Sequence, residues 1–148
     1  MKFLIQRVSH ASVAVDGTVI GSIQQGFLVF VGVSQEDTRA QADKLVKKLV
    51  GLRIFEDENG KTNLALGDVG GQVLLISQFT LYADCRKGNR PSFVRAGEQK
   101  QAQELYEYVI AECKKLLPVV EQGEFGADMK VELLNDGPFT VLLDTAEM

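Results

Sequence analysis

The amino-acid sequence predicts a single α+β domain that spans residues 1–148. Two segments carry apolar residues at the spacing of an amphipathic helix, near residues 38–52 and 98–117. Most other apolar residues fall in short β-prone runs separated by turn residues, a pattern typical of antiparallel strands. The chain has 148 residues, 45% of them apolar, which is enough for one sizeable core. We therefore expect one domain with several strands and two long helices.

The first part of the chain predicts three strands. Residues 3–8 form a short β-prone run. Residues 13–20 indicate a hairpin, because the Asp16-Gly17 pair tolerates the positive φ angles of a tight turn. Residues 26–33 lack polar alternation, which favours a central strand buried on both faces.

Both predicted helices have recognisable ends. Asp37 or Thr38 can cap the first helix, which continues to about Leu52 with one apolar face. The second helix spans residues 98–117 and stops before Pro118, because proline cannot continue a helix. We expect both helices to pack against the outside of a sheet.

The second half of the chain predicts the remaining strands. Glycines at 67, 70 and 71 are interpreted as a loop, because their spacing fits no phosphate-binding motif and no helical pattern follows them. A turn is predicted at residues 135–138. The strands are expected at residues 53–55, 73–81, 119–121, 129–134 and 139–144.

The composition argues against several classes of protein. A formal charge of −4 is unfavourable for coating nucleic acid non-specifically, and we expect neither DNA nor a membrane as a partner. No apolar run reaches the length of a membrane span or a signal-peptide core, so we expect a cytoplasmic protein. Cys85, Cys113 and the single histidine, His10, have no metal-ligand spacing, so we expect reduced thiols and no metal or other cofactor.

Polar side chains follow the buried part of the strand predicted at 73–81. Ser77, Gln78 and Thr80 place two hydroxyls and an amide at the end of an element that can hold them rigidly. Uncharged donors of this kind can stabilise a developing oxyanion, and one preorganised donor contributes about 2.7–4 kcal/mol. The same residues are also compatible with a plain strand end, so the local pattern leaves both interpretations open.

Two further segments are unusual. Residues 135–140, Asn-Asp-Gly-Pro-Phe-Thr, predict a turn when they are interpreted locally. A cis bond does not follow from the Gly-Pro pair alone, because only about 5–6% of X-Pro bonds in folded proteins are cis. Arg86, Lys87 and Arg90 follow the polar strand end in an irregular basic loop, which fits either a phosphate-binding patch or a solvated surface.

Together, Ser-Gln-Phe-Thr-Leu at 77–81 and Asn-x-Gly-Pro-x-Thr at 135–140 resemble the paired motifs of the D-aminoacyl-tRNA deacylases. These enzymes hydrolyse D-amino acids from mischarged tRNA. The resemblance extends from the opening Met-Lys-Phe-Leu-Ile-Gln-Arg-Val to the last strand. It implies a β-barrel-like or two-sheet core with the helices outside, a homodimer, and hydrolysis of D-aminoacyl-tRNA and glycyl-tRNA with rejection of L-aminoacyl-tRNA.

The resemblance also implies roles for individual residues. The bond before Pro138 is expected to be cis, and the Gly137 and Pro138 carbonyls are expected to enter the site of the partner subunit, where they exclude L side chains. Arg7 and Met129 are expected to hold this element, and Phe79 to stack on the terminal adenosine. The other expected substrate contacts are Asn135 and Thr140. The phosphate contacts come from the basic loop itself and not from the resemblance: we expect Arg86, Lys87 and Arg90 to bind tRNA phosphates near the acceptor end.

Two mechanisms stay open for the catalytic residues Ser77, Gln78 and Thr80. In one, Thr80 is a nucleophile. In the other, the ribose 2′-hydroxyl of the tRNA assists hydrolysis while the protein supplies geometry. We favour the second, because a threonine hydroxyl is weak without a base and nothing in the sequence ties His10 to Thr80.

Two rival functions belong to other classes. A non-catalytic RNA-binding module of the translation apparatus would use the basic loop, although aromatic and basic residues are not interleaved in the sequence. A small-molecule-binding oligomer would hold a ligand with the polar groups at the strand end. Release of free amino acid from charged tRNA distinguishes the enzyme from both.

Overall fold

The computed structural model describes residues 1–148 and contains eight strands and three α-helices. The strands are β1 (Lys2–Val15), β2 (Thr18–Ile23), β3 (Gly26–Gly32), β4 (Phe55–Glu56), β5 (Thr62–Leu64), β6 (Gln72–Ser77), β7 (Val120–Gln122) and β8 (Lys130–Asp144). The helices are α1 (Arg39–Gly51), α2 (Leu66–Val69) and α3 (Gln99–Leu116). None of the helices combines the length and apolarity needed to cross a membrane.

Six strands form one curved, nearly closed sheet in the order β2-β1-β3-β6-β7, with β8 added to β1. One edge of β1 pairs with β3 in its first half and with β2 in its second half, and the other edge pairs with β8 along almost its whole length. These pairings are antiparallel, whereas β3–β6 and β6–β7 are parallel. β4 and β5 form a second, small sheet. The expected α+β fold with a barrel-like core is therefore confirmed.

The sheet separates two apolar clusters. Successive side chains of a strand point to opposite faces, so the unbroken apolar runs of β3 and β6 supply both clusters. The larger cluster lies between the sheet and the long helices and includes Phe3, Phe27, Leu45, Leu75 and Leu105. The smaller one lies on the opposite face of the sheet and includes Val8, Val13, Leu28, Leu74 and Ile76. The predicted central position of β3 is thus confirmed.

Both long helices begin and end close to the predicted residues. Thr38 caps α1 with its side chain, and Gln41 Oε1 accepts a hydrogen bond from the Thr38 amide at 2.8 Å. In α3, the Tyr106 hydroxyl donates to the Leu75 carbonyl of β6 at 2.7 Å. Burial raises the pKa of Tyr106 to about 12, so the phenol keeps its proton at neutral pH. This hydrogen bond fixes α3 against the strand that ends in the polar motif.

Two predicted segments differ from the structure near the middle of the chain. The strand predicted at 73–81 ends at Ser77 and is followed by a 3₁₀ turn, Phe79–Tyr82. The predicted glycine loop contains the short helix α2, in which the Asp68 carboxylate accepts from the Ala65 amide at 2.9 Å. Gly70 ends this helix with a φ of +63°, a left-handed conformation that glycine adopts readily.

The C-terminal hairpin predicted from two strands and a turn is instead one strand, β8. Both of its halves pair with β1, so the chain returns to the same partner after residues 136–139. The register places Thr140 opposite Gln6 and Asn135 opposite Val8, which leaves extra residues on β8 as a bulge. The first predicted strand is likewise longer than expected, because β1 continues through residues 9–12 into the hairpin.

Candidate active site

A cavity of about 550 Å³ opens at the end of β6. Its walls come from the ends of β3 and β6, the start of α3, and the segments 93–97 and 125–131. Most of the lining side chains are apolar, and the polar groups are few. Three of the residues proposed from the first motif line it, Ser77, Gln78 and Phe79, and so does Met129.

The end of β6 is held by main-chain contacts with β3. The Gln78 amide donates to the Val31 carbonyl at 2.8 Å, and the chain then turns back at residues 79–82. Gly32 permits this turn, because a Cβ at that position would lie 2.9 Å from Leu81 Cβ. The polar motif therefore follows a rigid strand end.

Gln78 and Thr80 form a pair at the turn. Gln78 Nε2 donates to Thr80 Oγ1 at 2.6 Å. An amide is not a base, so this contact orients the hydroxyl without removing its proton. The amides of Phe79 and Thr80 begin the 3₁₀ turn and have no backbone acceptor, which leaves two further donors at the same place.

No histidine reaches this turn. His10 lies exposed on β1, where it pairs with Leu134 of β8, and it does not line the cavity. The site therefore presents hydroxyl, carboxamide and backbone N–H groups, without a neighbouring imidazole. Such a set can position water and stabilise negative charge on oxygen.

The start of β1 supports the turn from the other side. Lys2 Nζ donates to the Leu81 carbonyl at 3.2 Å and lies 4.8 Å from the centre of the Tyr82 ring. The Met1 ammonium forms a buried ion pair with Asp37 at 2.7 Å, which fixes the beginning of the strand. Burial, with the charges of Asp37 and Asp144, raises the pKa of Tyr82, so its hydroxyl is not an acid at neutral pH.

Arg7 holds the second motif from β1. Its side chain is only 6% exposed. Its Nε donates to the Asp136 carbonyl at 2.9 Å, and its Nη1 donates to the Ile54 carbonyl at 2.6 Å. The guanidinium also lies 4.7 Å from the centre of the Phe139 ring. The bulge of β8 is therefore fixed to the strand beneath it by a buried cation.

Asn135 closes the bulge from within. Its Oδ1 accepts from the Phe139 amide at 2.9 Å, and its Nδ2 donates to the Phe139 carbonyl at 3.1 Å. The Gly137–Pro138 peptide bond is cis, and both residues are exposed. Gly137 has a φ of +154°, and a Cβ there would lie 2.6 Å from the Phe139 nitrogen. Glycine is therefore required at this position.

The two motifs do not meet within one chain. Val31 pairs with Ser77 on one side and with Phe3 on the other, whereas Asn135 pairs with Val8. Five residues of β1 separate the two levels, which is about 17 Å along the strand. None of residues 135–140 lines the cavity, and neither does Arg7.

The basic loop follows directly after the 3₁₀ turn Phe79–Tyr82. Reciprocal hydrogen bonds between the backbones of Asp84 and Ser92, at 2.7 and 2.9 Å, close it. The Arg86 guanidinium binds both carboxylate oxygens of Asp84 and lowers the pKa of that carboxyl to about 2. Lys87 and Arg90 are exposed and form no ion pair. Of the three predicted phosphate contacts, these two are therefore free of a carboxylate.

Several residues of the site were not predicted from the sequence. Phe93, Phe125 and Asp128 line the cavity but belong to loop segments without a recognisable pattern. Gln99 also lines it, from the start of the predicted second helix, where the apolar periodicity did not mark it as a site residue. Asp136 was also missed, although its carbonyl is the acceptor through which Arg7 holds the bulge. Only Phe93 had a usable signal, because it is an aromatic residue beside the basic loop.

Comparison with known proteins gives one consistent result. A family model described as D-Tyr-tRNA(Tyr) deacylase matches residues 4–144. A D-aminoacyl-tRNA deacylase of Clostridium novyi (strain NT) is 54% identical over 145 residues, which are 98% of this chain and 97% of that protein. Another from Thermosipho africanus (strain TCF52B) is 49% identical over 148 residues, which are 100% of this chain and 99% of that protein.

Two solved structures are also similar. One, described as c-Myc DNA Unwinding Element Binding Protein, has a TM-score of 0.93 at 39% identity and covers 98% of this chain and 99% of that one. The other, a probable eukaryotic D-amino acid tRNA deacylase, has a TM-score of 0.86 at 15% identity over 96% of this chain and 97% of that one. At that identity the second structure shows the fold alone.

The matches define the class of the protein as a hydrolase that acts on D-aminoacyl-tRNA. More particularly, the chain belongs to the D-Tyr-tRNA(Tyr) deacylase family, whose model covers nearly its whole length. Membership of the family that the two motifs resemble is thereby confirmed, and the substrate of this family is an aminoacylated tRNA.

Arg7 gives a direct test of how the second motif is held. We expect Arg7→Met to lower the free energy of unfolding by about 1–3 kcal/mol, because two carbonyls, Asp136 and Ile54, lose their donor. Arg53→Met is the matched control, since that guanidinium also donates to a carbonyl, that of Asn63, but is exposed. Urea unfolding should show a much smaller change for the control. Equal changes would contradict the buried role of Arg7.

Proposed function

We propose that the cavity at the end of β6 binds the 3′-terminal aminoacyl-adenosine of D-aminoacyl-tRNA and hydrolyses its ester with uncharged groups. The observation that carries this proposal is the Gln78–Thr80 hydrogen bond at 2.6 Å, beside two free backbone amides and without a base. An activated ester needs a positioned water and a stabilised oxyanion, and these groups can supply both. The cavity of about 550 Å³ is in the range of small-ligand sites.

The ester is cleaved by water. Water oxygen attacks the carbonyl carbon, and the bond from that carbon to the ribose 3′-oxygen breaks. The ribose oxygen takes up a proton, and the amino acid leaves as the free acid. The neighbouring ribose 2′-hydroxyl can relay protons, which makes a protein base unnecessary. Ser77, Gln78 and the amides of Phe79 and Thr80 orient the ester and bind the negative oxygen.

Selection against L-amino acids comes from a second copy of the chain. β8 pairs only with β1, so its other edge is free, and Leu134 and Leu142 on it are each 53% exposed. A long free edge with apolar side chains is normally covered. A two-fold dimer covers it on both subunits with the same surface. It also brings the exposed Gly137 and Pro138 of one subunit to the cavity of the other, where Met129 forms part of the wall.

In this dimer, handedness is read by exclusion. The backbone carbonyls of Gly137 and Pro138 occupy the space into which an L side chain would project. A D side chain points away from them, and glycine has no side chain to exclude. Asn135 and Thr140 support this edge of the site, since Asn135 holds the bulge and its Nδ2 lies 3.5 Å from Thr140 Oγ1. The enzyme therefore accepts many D-amino acids.

We expect matched D- and L-aminoacyl-tRNAs to differ in deacylation rate by a factor on the order of 10² or more, because exclusion worth about 3 kcal/mol produces that ratio. Glycyl-tRNA should be cleaved at a measurable rate. The measurement is release of labelled amino acid from the same tRNA charged with each enantiomer. Gly137→Ala displaces the bulge and should reduce the ratio, since its Cβ would collide with Phe139. Equal rates with the two enantiomers in the wild-type enzyme would disprove exclusion.

A substitution can test whether Thr80 is a nucleophile or only supplies a hydrogen bond. Thr80→Ala should keep substantial activity, with kcat lowered about tenfold or less, because one neutral hydrogen bond contributes about 0.5–1.5 kcal/mol. Loss of a true nucleophile costs far more, on the order of 10⁶-fold in a serine protease. Single-turnover deacylation of D-aminoacyl-tRNA measures the difference, and Thr80→Ser is the control that keeps the hydroxyl. Complete loss of activity in a folded Thr80→Ala enzyme would favour covalent catalysis.

The basic loop binds phosphates of the acceptor end. Arg86 is engaged by Asp84, so Lys87 and Arg90 carry most of this contact. Replacing both with alanine should weaken binding of uncharged tRNA and reduce the slope of log K against log salt by about 0.7 per lost contact. Lys47 and Lys48 on α1 give the control pair, with the same change of charge elsewhere. If both double variants reduce the slope equally, tRNA binding depends on the net charge of the protein and not on the basic loop.

A non-catalytic RNA-binding role is the main alternative. It predicts binding of tRNA without release of amino acid, so the deacylation assay decides between the two. We further propose that the enzyme acts in the cytoplasm, where aminoacyl-tRNA is made and used.

A further inference from the structure

Exposed aromatic side chains are confined to one place on the molecule. The chain has eight phenylalanines and three tyrosines. Only Phe79 and Phe93 among them are exposed, at 55% and 37%. Both lie at the mouth of the cavity, and their rings meet edge to face with centroids 4.9 Å apart. An aromatic pair left in solvent beside a site indicates that something flat covers it.

The backbone around Phe93 is fixed. Ser92 pairs with Asp84 in both directions, and the Phe93 carbonyl accepts from the Ala96 amide at 3.0 Å. Gln35 adds two contacts, because its side-chain Nε2 donates to the Val94 carbonyl and its backbone N–H donates to the Arg95 carbonyl. Phe93 is therefore held out to solvent by its surroundings.

The charge of the same surface suits a polyanion. Four cations lie within ten residues of one another: Arg86, Lys87, Arg90 and Arg95. The carboxylate of Asp84, just before them, forms an ion pair with Arg86. The chain as a whole has a net charge of −4, so this cationic surface contrasts with the rest of the protein. Aromatic rings next to cations are typical of surfaces that bind single-stranded nucleic acid.

We propose that Phe93 is a stacking platform for the cytidine that precedes the terminal adenosine of the tRNA. This inference rests on the proposed function, in which the terminal aminoacyl-adenosine occupies the cavity that Phe79 lines. The next nucleotide then has to leave through the mouth, where the Phe93 ring is exposed. In this arrangement its phosphate faces the basic loop that precedes Phe93 in the chain, where Lys87 and Arg90 are exposed. The enzyme thus binds the unpaired end of its substrate as two stacked nucleotides.

Stacking of this kind explains how one enzyme serves many tRNAs. Every tRNA ends in the same unpaired CCA segment, whereas the paired stem differs. A ring recognises the face of a base and is largely indifferent to its edge. Binding at Phe93 therefore adds affinity without selecting one tRNA over another.

The test compares two substrates that differ only beyond the terminal nucleoside, D-aminoacyl-tRNA and D-aminoacyl-adenosine. We expect Phe93→Ala to lower kcat/KM for the tRNA about tenfold more than for the adenosine ester, since stacking contributes about 1–3 kcal/mol per base. A third substrate, D-aminoacyl-cytidylyl-adenosine, adds only the cytidine. For this substrate, Phe93→Ala should lower kcat/KM as much as it does for the tRNA. Phe93→Tyr keeps the ring and should behave like the wild type.

Phe79→Ala is the matched control. Because the family resemblance implies that Phe79 stacks on the terminal adenosine, its loss should lower kcat/KM for all three substrates by similar factors. If Phe93→Ala also affects all three substrates equally, or affects none, the platform is refuted. Size-exclusion chromatography of Phe93→Ala gives a further check, because dissociation of the dimer would refute it by assigning the ring to the subunit interface. If the wild-type enzyme cleaves none of the substrates, it is the proposed function that fails.

Discussion

The pairing of β1 with β8 is the constraint on which the rest of the site depends. β1 supports the turn of Thr80 through Lys2 near its start and holds the Gly-Pro bulge through Arg7 farther along. Because both contacts come from one rigid strand, the distance between the two motifs is fixed within the chain. A buried guanidinium is tolerated only when its donors are satisfied. Arg7 donates to two main-chain carbonyls, and its Nε lies 3.6 Å from the Asp136 carboxylate, which pairs with the buried charge. The bulge is therefore a fixed structural element and not a mobile turn.

Much of the fold could be predicted from the sequence, because it follows from local patterns. The hairpin at Asp16-Gly17, the Thr38 cap and the two amphipathic helices depend on turn chemistry and on 3.6-residue periodicity, and the structure has all of them. The bulge of β8 could not be predicted in this way. Asn-Asp-Gly-Pro has the composition of a turn, and only the continued pairing of both flanks with β1 shows that the chain does not reverse there. Strand pairing is non-local information that a single sequence does not contain.

The candidate site shows the same division. Ser77, Gln78 and Thr80 were predicted because they follow a buried run, and Phe79 because of the family resemblance. Ser77, Gln78 and Phe79 line the cavity, whereas Thr80 lies beside it on the turn. The other wall comes from residues 93–97, 99–102 and 125–131, which meet only because α3 packs back on β6 through Tyr106 and Leu75. The shorter β6 has a similar origin. Its ladder with β3 stops where Gly32 allows Leu81 to approach, and that contact involves residues almost fifty positions apart.

The separation of the two motifs gives the proposed dimer its mechanistic meaning. The two motifs lie on different elements, about 17 Å apart along β1, and no residue of the second lines the cavity. In the proposed function, a single chain therefore holds the catalytic groups but presents its selective element away from them. The proposed two-fold dimer would resolve this, because each subunit would give its bulge to the other and receive one in return. Excluding a side chain by fixed carbonyls requires no contact with the accepted amino acid. In that proposal, affinity has to come from what all substrates share, the terminal nucleotides and their phosphates. The exposed Phe79 and Phe93 rings and the exposed Lys87 and Arg90 side chains would bind these shared groups.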